Sequence, residues 1–283
     1  MRLVFGVIVG LVLAAAGLAA VGARRWRVAT AALVGKLESA SARSVSSPFS
    51  EELDGLPPPV ERYFRAVLEG TQSTVTRARI RWRGQFLVRP EADGWVPFVA
   101  DQVFAANPPG FVWDARMRMA PGVFTYVRDA FVDGRGFMRG AVLGILPVVH
   151  PTSAPELDAA ALQRYLAEAV WLPTALLPSQ GVKWSPLTGR SARARLSAGS
   201  VTVTLDFRFG EDHFIESVFS PSRFRAESGS NVATPWEGRF ARYEERDGLR
   251  VPVEAEVAWL LPDKRLTYWR GSPTEIRYER ARH

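Results

Sequence analysis

From Thr74 onward the chain alternates between apolar and polar positions with a period of two. In TRARIRWRG, Arg77, Arg79, Arg81 and Arg83 alternate with Ala78, Ile80 and Trp82, which predicts a strand with one basic and one apolar face. The pattern recurs over Trp95 to Ala105 and in FVWDARMRM, where Phe111, Trp113, Ala115, Met117 and Met119 share a face. It continues over Val123 to Val132 and Gly136 to Leu143, joined through Asp133-Gly134, a hairpin signal. It resumes over Ala192 to Leu196 and in VTVTLDFRF, whose Val201, Val203, Leu205, Phe207 and Phe209 form one row. His213 to Phe219, Arg223 to Glu227 and Trp236 to Glu244 follow. A second hairpin signal at Asp247-Gly248 leads into VPVEAEVAW, and Arg265 to Arg270 and Glu275 to Arg280 end the series. About a dozen antiparallel strands with short turns are predicted, each with one apolar face that needs cover.

Two stretches carry a helical period instead. Val60 to Leu68 sets Val60, Phe64, Val67 and Leu68 on one side, entered through Pro57-Pro58-Pro59 and closed by Gly70. Glu156 to Val170 aligns Leu157, Ala161, Leu162, Tyr165, Leu166 and Ala169. The stretch AVWLPTALLP, Ala169 to Pro178, comes next; it is almost wholly apolar and is interrupted by Pro173 and Pro178. Prolines make it a poor helix interior, and at this length it cannot cross a bilayer, which takes roughly 20 apolar residues. Strand runs with segregated helices argue an α+β fold. A sheet this large curls or closes. The expected architecture is a large curled antiparallel β-sheet, half-barrel-like, with a helical plug over residues 156–178.

The N-terminus breaks the pattern. Leu3 to Ala23 is 21 residues without a charge. That length predicts a transmembrane helix rather than a signal peptide, whose apolar core is about 7–15 residues. Val21-Gly22-Ala23 also fits a cleavage site. Arg24, Arg25 and Arg27 outnumber Arg2 and the terminal amine, a positive-inside margin too small to assign a side of the membrane. The expected organisation is a single-pass anchor with a basic flank over 1–27, a stalk and Ser-rich linker over 28–55, and one β-rich domain over 56–283. A membrane is thus an expected partner.

Charge changes the picture less than its size suggests. Of the net +7, four charges belong to Arg2, Arg24, Arg25 and Arg27 around the N-terminal segment. The remaining surface is ordinary, so nucleic acid is not an expected partner. There is no cysteine, which removes disulfides, thiolate metal sites and cysteine nucleophiles together.

Catalytic patterns are sparse. His150, His213 and His283 have no second ligand at metal spacing, and HExxH, GxSxG, GxGxxG and Walker A motifs do not occur. No cofactor or metal is expected. Glu254 and Glu256 share a strand face about 7 Å apart, a separation compatible with paired-carboxylate chemistry. The plainer reading pairs them with arginines on neighbouring strands. The row Arg77, Arg79, Arg81 and Arg83 either meets acids such as Asp101, Glu254 or Glu256, or contacts anionic lipid headgroups.

The segments LPPPVERYFR, PPGFVWDARM, YLAEAVWLPTALLP and PWEGRFARYEERDGLRVPVEAEVAW, in this order after an apolar N-terminus, resemble an uncharacterised bacterial domain-of-unknown-function family over Leu56 to Trp259. That resemblance implies no activity and no catalytic residues. More loosely, the layout is similar to the curled half-barrels of lipoprotein carriers of the LolA type, in which a sheet wraps an apolar cavity and helices plug it; this is a likeness of fold only.

These readings converge on AVWLPTALLP. Trp171, Leu172 and Leu176 either complete the core or form a plug over a cavity walled by Trp82, Trp113, Phe207, Phe209 and Trp259. The leading expectation is non-enzymatic binding of a lipid or another apolar molecule. The alternatives are an enzyme on a membrane-associated substrate, using Glu254 and Glu256, and a purely structural scaffold.

Overall fold

A computed structural model of the protein describes residues 2–40, 49–68, 75–149, 154–227 and 230–280. The Ser-rich segment 41–48, His150 and His283 lie outside the described residues. Among the described residues there are four α-helices: α1 (Arg2–Ala40), the short α2 (Phe49–Glu52), α3 (Pro58–Leu68) and α4 (Pro155–Glu168).

Thirteen strands form one antiparallel, curled and unclosed sheet. They are β1 (Val75–Arg89), β2 (Gly94–Ala105), β3 (Gly110–Ala120), β4 (Val123–Val132), β5 (Arg135–Val142), β6 (Leu146–Val149), β7 (Lys183–Thr188), β8 (Ser191–Ala198), β9 (Val201–Phe209), β10 (Ile215–Glu227), β11 (Ser230–Arg246), β12 (Leu249–Leu260) and β13 (Arg265–Arg280). The order across the sheet is β6-β5-β4-β3-β2-β1-β13-β12-β11-β10-β9-β8-β7. Each half is a meander, and the halves join where β1 pairs with β13, from Val75 opposite Arg280 to Phe86 opposite Trp269.

The segment between the two edge strands β6 and β7 supplies the cover. Helix α4 packs against β4 and β5 on one arm and β9 and β10 on the other. The arms also touch at their hairpin tips: a Cβ on Gly134 in the β4–β5 turn would lie 3.1 Å from Gly199 Cα in the β8–β9 turn. Both glycines have positive φ, 74° and 59°, a region open to Gly without steric cost.

The alternation predicted for the strands places its apolar row on the concave side. Ile80, Trp82, Phe98, Phe111, Trp113, Phe207, Phe209 and Val251 are buried there with α3, α4 and the turns after α4. Tyr63 and Phe64 of α3, beside the Phe209 ring, seal one end.

The convex side carries a second, smaller core, and it corrects the expected single-pass anchor. Among the described residues no helix is long and apolar enough to cross a membrane. Helix α1 does not stop at the basic flank; it runs without a break through Arg24, Arg25 and Arg27 to Ala40. Its second half is a packing element. Leu37 is buried against Val103, Ala105, Val112, Ala130 and Val132 on the outer face of β2, β3 and β4. Gly22 meets the β5–β6 turn, where a Cβ would lie 2.4 Å from Leu143 O. Trp26 Nε1 donates to Asp114 Oδ1 at 2.7 Å and Thr30 Oγ1 to Asp114 Oδ2 at 2.5 Å. The Arg128 guanidinium, 2% exposed, donates to Trp26 O at 2.7 Å and lies 4.3 Å from the Trp26 ring centroid.

Candidate functional site

The proline-broken stretch folds as three consecutive 3-10 turns, Ala169–Trp171, Pro173–Leu176 and Pro178–Gln180. Pro173 and Pro178 stand at the first positions of their turns, where the missing N–H costs nothing. The turns lie in the concavity and are fastened to strand backbones by side-chain hydrogen bonds. Trp171 Nε1 donates to Pro252 O at 2.8 Å, Thr174 Oγ1 to Val75 O at 2.6 Å, and Tyr278 OH to Trp171 O at 2.8 Å. Trp171, Leu172 and Leu176 are at most 3% exposed.

The plug sorts the wall residues named from sequence. Phe207 and Phe209 are buried at the α3 end, Phe207 beside Trp184 with centroids 5.1 Å apart. Trp82 meets Trp171 edge-on at 4.6 Å and Trp269 at 5.7 Å. Trp269 stacks on Phe98 at 5.8 Å, and Phe98 meets Trp113 at 5.6 Å. Trp259 lies outward of these, stacked on Tyr268 at 5.5 Å, and Tyr268 meets Phe86 at 5.8 Å. Trp259, Tyr268, Trp269 and Phe86 are only partly buried, so a row of aromatic rings runs from the plug to the margin of the core. Sharp approaches at glycine make room for it: a Cβ on Gly271 would lie 2.7 Å from the Trp269 ring, and one on Gly84 2.6 Å from Phe98.

Beside this path lies a polar network. Arg164 of α4 donates through Nη1 to Asp129 Oδ2 at 2.6 Å and through Nε to Glu168 Oε1 at 2.7 Å. Its guanidinium also lies about 5 Å from the rings of Phe111 and Trp113. Burial opposes its charge, but Glu168 and Asp129 outweigh that and hold its pKa above the ordinary value. Trp82 Nε1 donates to Gln102 Oε1 at 2.8 Å, and Gln102 Nε2 donates to Glu168 Oε2 at 2.7 Å. Arg223 of β10 reaches in from the other arm, donating to Ala160 O at 2.6 Å with its guanidinium 5.0 Å from the Trp236 ring centroid. Burial lowers its pKa. Trp236 Nε1 donates to Tyr268 OH at 2.9 Å, and burial raises the Tyr268 pKa, so the phenol keeps its proton. The Trp113 indole N–H is buried with no acceptor.

The other sequence-derived candidates face outward. Arg77 and Arg79 pair with Glu279, Arg79 also with Glu38, and Arg81 with Glu275 and Asp101. Arg83 has no ion pair among the described residues. Glu254 pairs with Arg242 at 2.7 Å and Glu256 with Arg265 at 2.8 Å. With Arg83 and Arg270 these two carboxylates line an open outer groove of about 580 Å3, and neither is unpartnered in it. His213 stands in a tight turn at φ 70°. No group of three or more metal-ligating side chains occurs among the described residues.

Arg164, Glu168, Asp129, Gln102, Arg223, Trp236, Tyr268 and Trp269 were not singled out by sequence. Arg164 and Glu168 carry a local signal, the i,i+4 spacing on a helix. Arg223 carries none, because its inward direction depends on the register shift between Ser220 and Arg223 around Pro221.

Residues 46–271 match the family of unknown function DUF6544, and the chain belongs to that family. No curated protein matches the chain. Among solved structures it is similar to a LolA superfamily protein from Nitrosomonas europaea, at 8% identity and a TM-score of 0.38, covering 79% of this chain and 93% of that one. It is also similar to a beta-barrel-like protein of the domain of unknown function DUF1849 from Brucella abortus, at 11% identity and a TM-score of 0.20, covering 73% and 99%. Overlaps this loose carry no argument about ligands.

Proposed function

We propose that this chain binds an apolar or amphipathic small molecule, without transforming it, at the concave mouth between α4 and strands β1, β11, β12 and β13. The observation that supports it is the set of partly exposed aromatic side chains, Phe86, Trp259, Tyr268 and Trp269, continuous with the buried Trp82–Trp171 contact. Ligand sites combine aromatic walls with a few placed polar groups, and Arg164, Arg223 and Gln102 supply those. Four large aromatics left partly wet at a concave rim would each release water on meeting an acyl chain. Under this reading the plug is a floor rather than a moving gate, since side-chain hydrogen bonds from Trp171, Thr174, Tyr278 and Trp184 and the surrounding rings hold it.

The test is fluorescence titration of the full chain with the neutral apolar probe N-phenyl-1-naphthylamine. Saturable enhancement, displaced by hexadecanol and weakened in Trp269→Ala but not in Trp184→Ala at the other end, is the expected result. A linear, non-saturating response in the wild-type chain overturns the proposal.

A further inference from the structure

The two cations of the mouth are not equivalent. Arg164 spends its Nη1 and Nε on Asp129 and Glu168 and lies near two aromatic rings. Arg223 has one hydrogen bond, to Ala160 O, and no carboxylate within ion-pair distance among the described residues. Asp129 and Glu168 act on it only from a distance, and Arg164 opposes it. A half-buried arginine left with a ring and one carbonyl forgoes the bidentate pairing its fork is shaped for. Two more donors stand in the same network without an acceptor that uses them. Among the described residues the Trp113 N–H has no acceptor, and the Tyr268 hydroxyl accepts from Trp236, which leaves its own proton for a further acceptor. Both Glu168 oxygens, Gln102 Oε1 and Asp129 Oδ2 already receive hydrogen bonds, so the uncommitted donors outnumber the uncommitted acceptors here.

We infer that the molecule bound at this mouth carries an anionic head group, a carboxylate or a phosphate monoester, and that Arg223 is the residue that pairs with it. This rests on the mouth being the binding site. The head would meet Arg223 and the Tyr268 hydroxyl, with the chain laid along Trp259, Trp269 and Phe86. Fatty acids and monoalkyl phosphates are the chemical class that fits best; neutral alcohols of the same chain length bind more weakly, and cationic amphiphiles do not fit.

The experiment is displacement of N-phenyl-1-naphthylamine from the full chain by palmitate, hexadecyl phosphate and hexadecanol, which share an alkyl chain and differ in the head. Charged hydrogen bonds of this kind predict that at least one anion displaces about tenfold more tightly than the alcohol. Arg223→Gln abolishes the difference between anion and alcohol; Arg223→Lys retains part of it. The stronger of the two anions identifies the head. Equal displacement by all three in the wild type overturns the inference while the mouth reading stands. A preference that persists in Arg223→Gln overturns it too. If the probe does not bind at all, the mouth reading fails and takes this inference with it. Thermal unfolding of both variants, expected to follow the wild type, shows that any loss is not a folding defect.

Discussion

Trp171 stands edge-on to Trp82 with ring centroids 4.6 Å apart and an interplanar angle of 87°. The first belongs to the proline-broken turns and the second to the central strand β1, so this contact joins the cover to the middle of the sheet. Edge-to-face pairs add about 0.5–1.5 kcal/mol to what burial alone contributes.

Replacing Trp171 by Ala should therefore destabilise the protein by roughly 3–5 kcal/mol, the usual cost of emptying a large aromatic site. Trp171→Phe keeps much of the packing, but loses the hydrogen bond to Pro252 O, worth about 1 kcal/mol. Urea unfolding followed by circular dichroism measures both. A Trp171→Ala variant with an unchanged midpoint would show that the turns are not structurally coupled to β1.

A second prediction concerns Asp114, which fastens α1 to the convex face. Burial raises its pKa, and hydrogen bonds from Thr30 and Trp26 and the charge of Arg128 offset this only in part. The folded protein thus holds this proton more readily than the unfolded chain. Stability from this group is fully present below the unfolded value and is lost as pH rises through the higher folded value. Asp114→Asn has no such titration. The stability of the wild type relative to Asp114→Asn should fall as pH rises across that window and stay flat above it. Paired denaturation curves across the acid range check the sign, and a difference that grows with pH would refute it.

A third prediction follows from the seat of α4. A Cβ on Gly136 would come within 2.4 Å of Leu157 O, and Gly136 N donates to Asp158 Oδ1 at 2.6 Å. Gly136→Ala must push the first turn of α4 off β5, an overpacking cost of roughly 1–3 kcal/mol. Amide hydrogen exchange should quicken in the first turn of α4 and leave α3 unchanged. Equal protection in both helices of the variant would mean that the backbone is not in contact there.

Much of this architecture can be read from alternation. The rows Phe111, Trp113, Ala115, Met117 and Val201, Val203, Leu205, Phe207, Phe209 point where their period places them. The two Asp-Gly hairpins form, with Asp133 and Asp247 at φ 53° and 48° ahead of their glycines. Two apparent strand breaks are instead bends within single strands. Pro221 and Pro273 sit at register shifts of β10 and β13, where a residue without an N–H is tolerated. Strands β6 and β7 escape notice because they are short and exposed edges, without an apolar row to mark them. The N-terminal helix misleads because the uncharged run Leu3 to Ala23 hides its continuation, in which Trp26, Thr30 and Leu37 are committed to the convex face by partners far along the chain. Of the proposed rim aromatics only Trp259 carries a sequence signal, its place at the end of the apolar row of β12. Arg164 comes from the covering helix α4 and Arg223 from β10, and their meeting is a tertiary fact that no local pattern carries.

The pairing of β1 with β13 has a temporal meaning. Within each meander, neighbouring strands are joined by short turns, so the two halves can assemble from local contacts on fast timescales. The central pair joins Val75 to Arg280, with nearly the whole sheet between them in sequence. Its loop-closure entropy is the largest of any strand pair here, and the interval before it forms leaves two unpaired strand edges bare to solvent. Crowded refolding should therefore fail first at that junction, by pairing one chain's β1 with another chain's β13.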